Sequence, residues 1–123
     1  EIKSFTDLIA RKEAHKLVLM IYPLLRSFPK DELFGLVLQM KRAVISITLN
    51  IAESFSRGSY KEKVYFYYVS VGSLTKIQNQ LLTARDLKYC TSADFAKTAD
   101  QSIIVNKLLN GLIKSSRALT RDS

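Results

Sequence analysis

The stretch "QMKRAVISITLNIAESFSRG", Gln39 to Gly58, decides the fold because it carries two competing periods. Its middle, "SITLNI", alternates polar and apolar residues as a half-buried strand does. Across the whole stretch, however, Gln39, Arg42, Ser46, Asn50, Glu53 and Arg57 step by three or four. At about 100° per residue these six fall within an arc of roughly 80°. The strand alternation covers a few residues and the helical stripe covers all of them. A strand with nothing to pair against in an otherwise helical chain would leave its backbone groups unsatisfied. The stretch is therefore a helix, apolar over most of its circumference and buried on more than one side. Its polar stripe must face water, a partner subunit or a hydrogen-bonded network.

Outward from this helix, scarce Pro and Gly divide the chain. "FPKDE" (Phe28 to Glu32) breaks it once, since Pro29 lacks a donor and disfavours helix at Phe28. "SRGS" (Ser56 to Ser59) and "YCTS" (Tyr89 to Ser92) are two further breaks. Each precedes a helix-start signal: Lys30 or Asp31 before Glu32, Ser59 with Glu62, and Thr91 with Asp94; Ser4 with Asp7 offers the same at the front.

Helical spacing recurs in Phe5, Leu8, Ala14, Leu17, Val18, Ile21, Leu25 and Phe28, with a kink or early end expected at Pro23. It recurs in Val64, Tyr67, Tyr68, Val71, Leu74, Ile77, Leu81 and Ala84, and in Phe95, Ala99, Ile103, Leu108, Leu109, Leu112 and Ile113. The expectation is all-α: one domain over residues 1–123, an antiparallel up-down-up-down four-helix bundle. In "VGSL", Gly72 and Ser73 weaken the third helix, and a close helix crossing is the expected reason.

The 123 residues carry 19 Lys and Arg against 11 Asp and Glu, a net charge of +8 that favours an anionic partner. With one cysteine, Cys90, no intramolecular disulfide forms. No apolar run approaches the roughly 20 residues that span a bilayer. The opening "EIKSFTDL" lacks the apolar centre of a signal peptide, and it lacks an initiator Met, so a few native residues are expected to precede it. A cytoplasmic location is the default expectation, with no membrane association.

The order and spacing of several motifs resemble the four-helix-bundle proteins encoded within intervening sequences of bacterial large-subunit ribosomal RNA. The matching residues are Phe5 and Leu8; Ala14, His15 and Leu17; and Phe28, Pro29, Glu32, Phe34, Gly35 and Leu36. Then come Gln39, Lys41, Arg42, Ala43, Ser46, Ile47, Asn50, Ile51, Ala52, Glu53 and Arg57, and finally Gly72, Ser73 and Leu74. The match spans the first three helices. Ser54 stands where the family usually has Gly, which lets the second helix run on. Lys76 replaces the usual Glu after "GSL", and the aromatic residue expected near Ala10 or Arg11 is missing. The resemblance implies a helical bundle assembled as a ring-like homopentamer without catalytic activity. The family is also similar to the accessory variability protein of diversity-generating retroelements, a basic pentamer that binds nucleic acid and works with a reverse transcriptase. That relation puts a reverse transcriptase among the partners to consider.

Three groups of residues are candidates for function. On the second helix, Arg42 and Arg57 can reach phosphate while Asn50 and Glu53 orient them. The favoured reading of this stripe, with Gln39 and Ser46, is structural or interfacial, because such groups need partners when buried. On the fourth helix, Lys107, Lys114, Arg117 and Arg121 share an arc of about 80°. They form a ridge roughly 20 Å long, and no acid occurs between Gln101 and Arg121. Phosphate tracking and complementation of the helix dipole both account for it. Beside Lys61 and Lys63, the aromatics Tyr60, Tyr65, Phe66, Tyr67 and Tyr68 suit single-stranded binding, yet most are expected in the core or at a subunit contact.

One His and one Cys cannot supply a zinc site or a di-iron bundle, and no Gly-rich phosphate loop is present. No metal, cofactor or enzymatic activity is expected. The leading expectation is a homo-oligomer that binds RNA, or alternatively DNA, through a basic surface. The competing one is a protein-interaction scaffold.

Overall fold

Four runs of apolar residues at helical spacing become four helices around a shared core. The computed structural model describes the backbone of residues 5–122 and the side chains of residues 7–120. It contains α1 (Phe5–Leu25), a 3₁₀ turn (Lys30–Glu32), α2 (Leu36–Phe55), α3 (Tyr60–Asp86) and α4 (Ser92–Asp122). Leu17 and Ile21 of α1, Val44, Ile47 and Ile51 of α2, Leu74, Ile77 and Leu81 of α3, and Val105 and Leu109 of α4 are buried in one cluster. Each helix packs against two neighbours in the ring order α1, α2, α3, α4, and no diagonal pair of backbones comes close. This is the antiparallel up-down-up-down bundle that the periodicity predicts. The core line is narrower than the apolar lists. Leu8, Tyr68 and Ile103 fit the spacing but are exposed, because each lies roughly opposite its helix's core line at about 100° per residue.

The helix ends bear out some local signals and correct others. Ser59 caps α3, its hydroxyl accepting from the Glu62 N–H at 3.2 Å and lying 3.1 Å from the Glu62 carboxylate. Thr91 accepts from the Asp94 N–H at 3.1 Å. Ser4 lies outside the described residues, so the first cap does too. Pro23 sits in the last turn of α1, which ends at Leu25. The second long helix does not begin at Lys30 or Asp31. Those residues form the 3₁₀ turn, and α2 starts at Leu36. Glu32 explains the delay: its Oε1 accepts from the Leu36 N–H at 3.3 Å, placing a carboxylate at the α2 N-terminus. Its Oε2 accepts from the Tyr89 hydroxyl at 2.9 Å, which ties the α1–α2 connection to the α3–α4 turn. That bond to the carboxylate, ahead of burial, raises the Tyr89 pKa above its ordinary value. α2 ends at Phe55, so Ser54 does not extend it further.

The α3–α4 turn holds the single positive-φ residue among those described, Lys88 at 61°. The Tyr89 N–H reaches the Ala84 carbonyl at 2.9 Å and the Lys88 N–H reaches the Arg85 carbonyl at 3.0 Å. These two bonds make a Schellman ending, whose left-handed position suits glycine. Lys88→Gly is expected to stabilise the protein by about 1 kcal/mol. A denaturant midpoint that falls instead would show that the lysine side chain makes up for its backbone strain.

Gly72 is not at a helix crossing. It is exposed, and a Cβ built there meets nothing within 4 Å. The close approach of α2 and α3 is made by its serine neighbours. The Ser70 hydroxyl donates to the Ile47 carbonyl at 2.9 Å, and the Ser73 hydroxyl to the Ser46 hydroxyl at 2.8 Å. Gly72→Ala should therefore stabilise α3 by about 0.5–1 kcal/mol. A lower melting temperature would reveal a neighbour packed against that position in the assembled protein.

Candidate nucleic-acid interface

The antiparallel packing of α3 and α4 sets the beginning of α3 beside the end of α4. Lys61 from the first turn of α3 and Lys114 and Arg117 from α4 line one cleft of about 500 Å³, floored by Val64 and Ile113. Among the described residues no acidic side chain lines it. Arg117 Nη1 donates to the Tyr68 hydroxyl at 3.0 Å, which holds the guanidinium at the cleft. Bases near the α4 C-terminus complement its dipole, so Lys114 and Arg117 alone have a structural explanation. Lys61 does not. It adds positive charge at the N-terminal, already electropositive end of α3, where a helix favours anions. Three cations from two helices converging there concentrate positive potential for an incoming anion.

The other predicted residues separate into different surroundings. Lys107 is exposed on the same face of α4 but outside the cleft. The Arg121 side chain lies outside the described residues. Arg57 pairs with Glu53 one turn earlier and lies over the Phe66 ring, 4.7 Å from its centroid. Lys63 Nζ donates to the Ser54 carbonyl at 2.7 Å, at the end of α2. Both therefore hold the α2–α3 corner.

The polar stripe divides as well. Asn50 donates to the Ser46 carbonyl at 2.8 Å and lies 3.2 Å from the Ser46 hydroxyl. Gln39, Arg42 and Ser46 line a groove of about 680 Å³ with Lys76, Asn79 and Gln80 of α3. The stripe thus borders α3 instead of entering the core, which answers why polar groups run along an apolar helix. Its acid-free groove carries two cations, Arg42 and Lys76.

Over residues 6–111 the sequence matches the family described as 23S rRNA-intervening sequence protein. The chain belongs to this family. It is also similar to a solved structure described as a protein of unknown function from the S23 ribosomal protein family of Bacteroides thetaiotaomicron. The two are 20% identical, with a TM-score of 0.82 over 89% of this chain and 99% of that one. At that identity the likeness shows the fold. No curated protein matches the chain.

Three features of the chain are not legible as spacing. First, of the five clustered aromatics only Tyr67 is buried. Tyr60, Tyr65 and Tyr68 are exposed, and Phe66 is half-buried beneath Arg57. Second, Tyr68 belongs with the basic cleft. Its signal in the sequence is its place seven residues after Lys61, two turns along one face. Third, Lys76 shares a groove with Arg42, so the charge reversal at that position makes the groove more basic.

Elsewhere the chemistry is plain. Cys90 is half-buried, and burial with the nearby Asp94 charge pushes its thiol above the ordinary range, away from a reactive thiolate. Among the described residues no three His, Cys, Asp or Glu side chains group to hold a metal ion, and no helix is long and apolar enough to cross a membrane.

Proposed function

We propose that this protein is a non-enzymatic, homo-oligomeric member of its family that binds RNA, or other nucleic acid, through the α3–α4 cleft as a cytoplasmic accessory factor. The observation that carries the reading is the convergence of Lys61, Lys114 and Arg117 at the electropositive end of α3, with no lining acid among the described residues. Polyphosphate backbones are the common ligands that reward such a site, because neutralising each phosphate releases counterions. The +8 net charge adds long-range attraction. A ring of copies, a pentamer by resemblance, would repeat the cleft, and weak contacts would then act together by avidity.

The competing scaffold reading has its own support. Phe34 is 85% exposed in the α1–α2 connection, beside exposed Leu33. Aromatic side chains of this kind anchor protein contacts, to a further copy or to a protein such as a reverse transcriptase.

The test is fluorescence anisotropy of a labelled RNA hairpin with an unpaired tail, titrated across a salt series. Three cations on a single strand predict that log affinity falls with log salt at a slope of about −2 per protomer. No binding at low salt would move the function to the protein partner. Light scattering at micromolar concentration reports the assembly, and a monomer there would remove the oligomer from the proposal.

A further inference from the structure

We propose that the α3–α4 cleft takes a single strand, with the ring of Tyr68 serving as a stacking platform for one base while Lys61, Lys114 and Arg117 hold the flanking phosphates. This rests on the reading of the cleft as a nucleic-acid site and adds the strand state and the residue that senses it.

Tyr68 is 47% exposed although it is a large aromatic in a helix whose other face fills the core. Its hydroxyl accepts from Arg117 Nη1 at 3.0 Å, which sets the ring at the margin of the basic cleft. The guanidinium has five N–H donors, so this one contact leaves others available to a phosphate. One turn further along α3 stands Gly72, where even a Cβ would find no neighbour within 4 Å. The surface beside Tyr68 on that side is open. On the other side, Lys61 lies two turns earlier, about 10 Å along the helix. Cation, ring and open surface thus follow one another along one exposed face. Unpaired bases stack on such rings whatever their identity, whereas a duplex keeps its bases paired and presents phosphates alone.

Four probes separate the possibilities: a labelled single-stranded deoxyoligonucleotide, the same strand with abasic sites, the matched duplex, and an RNA strand of the same sequence. Each is titrated into the full chain, Tyr68→Ala, Tyr68→Phe and Lys114→Glu/Arg117→Glu, with thermal melts of every variant. The base-bearing strands should bind about ten-fold more tightly than the abasic one. Tyr68→Ala and Tyr68→Phe both lose the hydroxyl that meets Arg117, so abasic binding should change equally in the two; Tyr68→Ala alone should erase the difference between base-bearing and abasic strands, and Tyr68→Phe, which keeps the ring, should retain it. The chain has no tryptophan, so Tyr68→Trp adds a direct readout, quenched by base-bearing strands and not by the abasic strand. Equal affinity for base-bearing and abasic strands, or preference for the duplex, would overturn the platform. If the charge reversal still removed binding, the cleft would remain a phosphate site. Failure of every probe to bind would overturn the platform and the nucleic-acid reading together.

Discussion

Reversing the two α4 charges in the cleft, Lys114→Glu with Arg117→Glu, is expected to weaken RNA binding about 100-fold at low salt, near 3 kcal/mol, while helicity is retained. Each substitution removes a phosphate contact and sets a like charge against the strand, so the loss exceeds simple deletion of two contacts. The salt dependence should flatten as well, losing about 0.7 of slope for each phosphate no longer neutralised. Folding should barely respond. Both residues are exposed, and the Arg117–Tyr68 hydrogen bond lost with them lies on the surface. A matched control separates site from net charge. Arg11→Glu with Lys12→Glu on the exposed face of α1 subtracts the same charge from the same +8 total. If the control weakens binding equally, the attraction is diffuse and the cleft has no special role. If neither pair matters, the charge acts as a solubility device.

The bundle was legible because it depends on one property, apolar residues repeated at helical spacing, and local caps such as Ser59 with Glu62 sharpened its boundaries. What spacing could not supply was the partner of each polar group. Glu32 reads as a helix-start acid, yet it acts four residues ahead of the helix by accepting from Leu36 and from Tyr89 fifty-seven residues away. Lys63 and Lys61 are two residues apart and look interchangeable. One side chain turns to the α2 carboxyl end and the other to the cleft. Arg57 likewise looks like a phosphate ligand until Glu53 and Phe66 are set beside it. The basic run of α4 that includes Lys114 and Arg117 stands in the sequence, but the place of Lys61 beside them depends on which helices adjoin, and that is tertiary information. The aromatic run shows the same limit from the other side. Its five members surround the helix, and burial selects Tyr67 alone because only that position faces the bundle axis.

Tyr67 is where the largest stability effect is expected. It is 1% exposed, the bulkiest of the fully buried side chains, and its hydroxyl donates to Asp7 Oδ1 at 3.3 Å. The bond runs from α3 to α1, a diagonal pair whose backbones do not touch, so this ring bridges the middle of the bundle. Tyr67→Ala should cost about 4 kcal/mol, since the cavity left between four helices cannot collapse without moving them. For a chain of this size that is a drop of roughly 15 °C in melting temperature. Tyr67→Phe keeps the ring and removes only the donor to a buried carboxylate, so its cost should be about 1–2 kcal/mol. The two variants also differ in alkali. Burial first, and then the Asp7 charge, push the Tyr67 pKa up from 10.0 to about 12. The folded state therefore holds the phenolic proton more tightly than the unfolded chain does. The stability this contributes is complete below pH 10 and is lost as the pH rises towards 12, by roughly 2–3 kcal/mol. Urea unfolding of the native chain should show that alkaline decline, and Tyr67→Phe, with no proton to lose, should show a shallower one. Equal slopes above pH 10 would mean that the phenol reaches solvent before the bundle opens, and that the diagonal bond is not what holds α1 against α3.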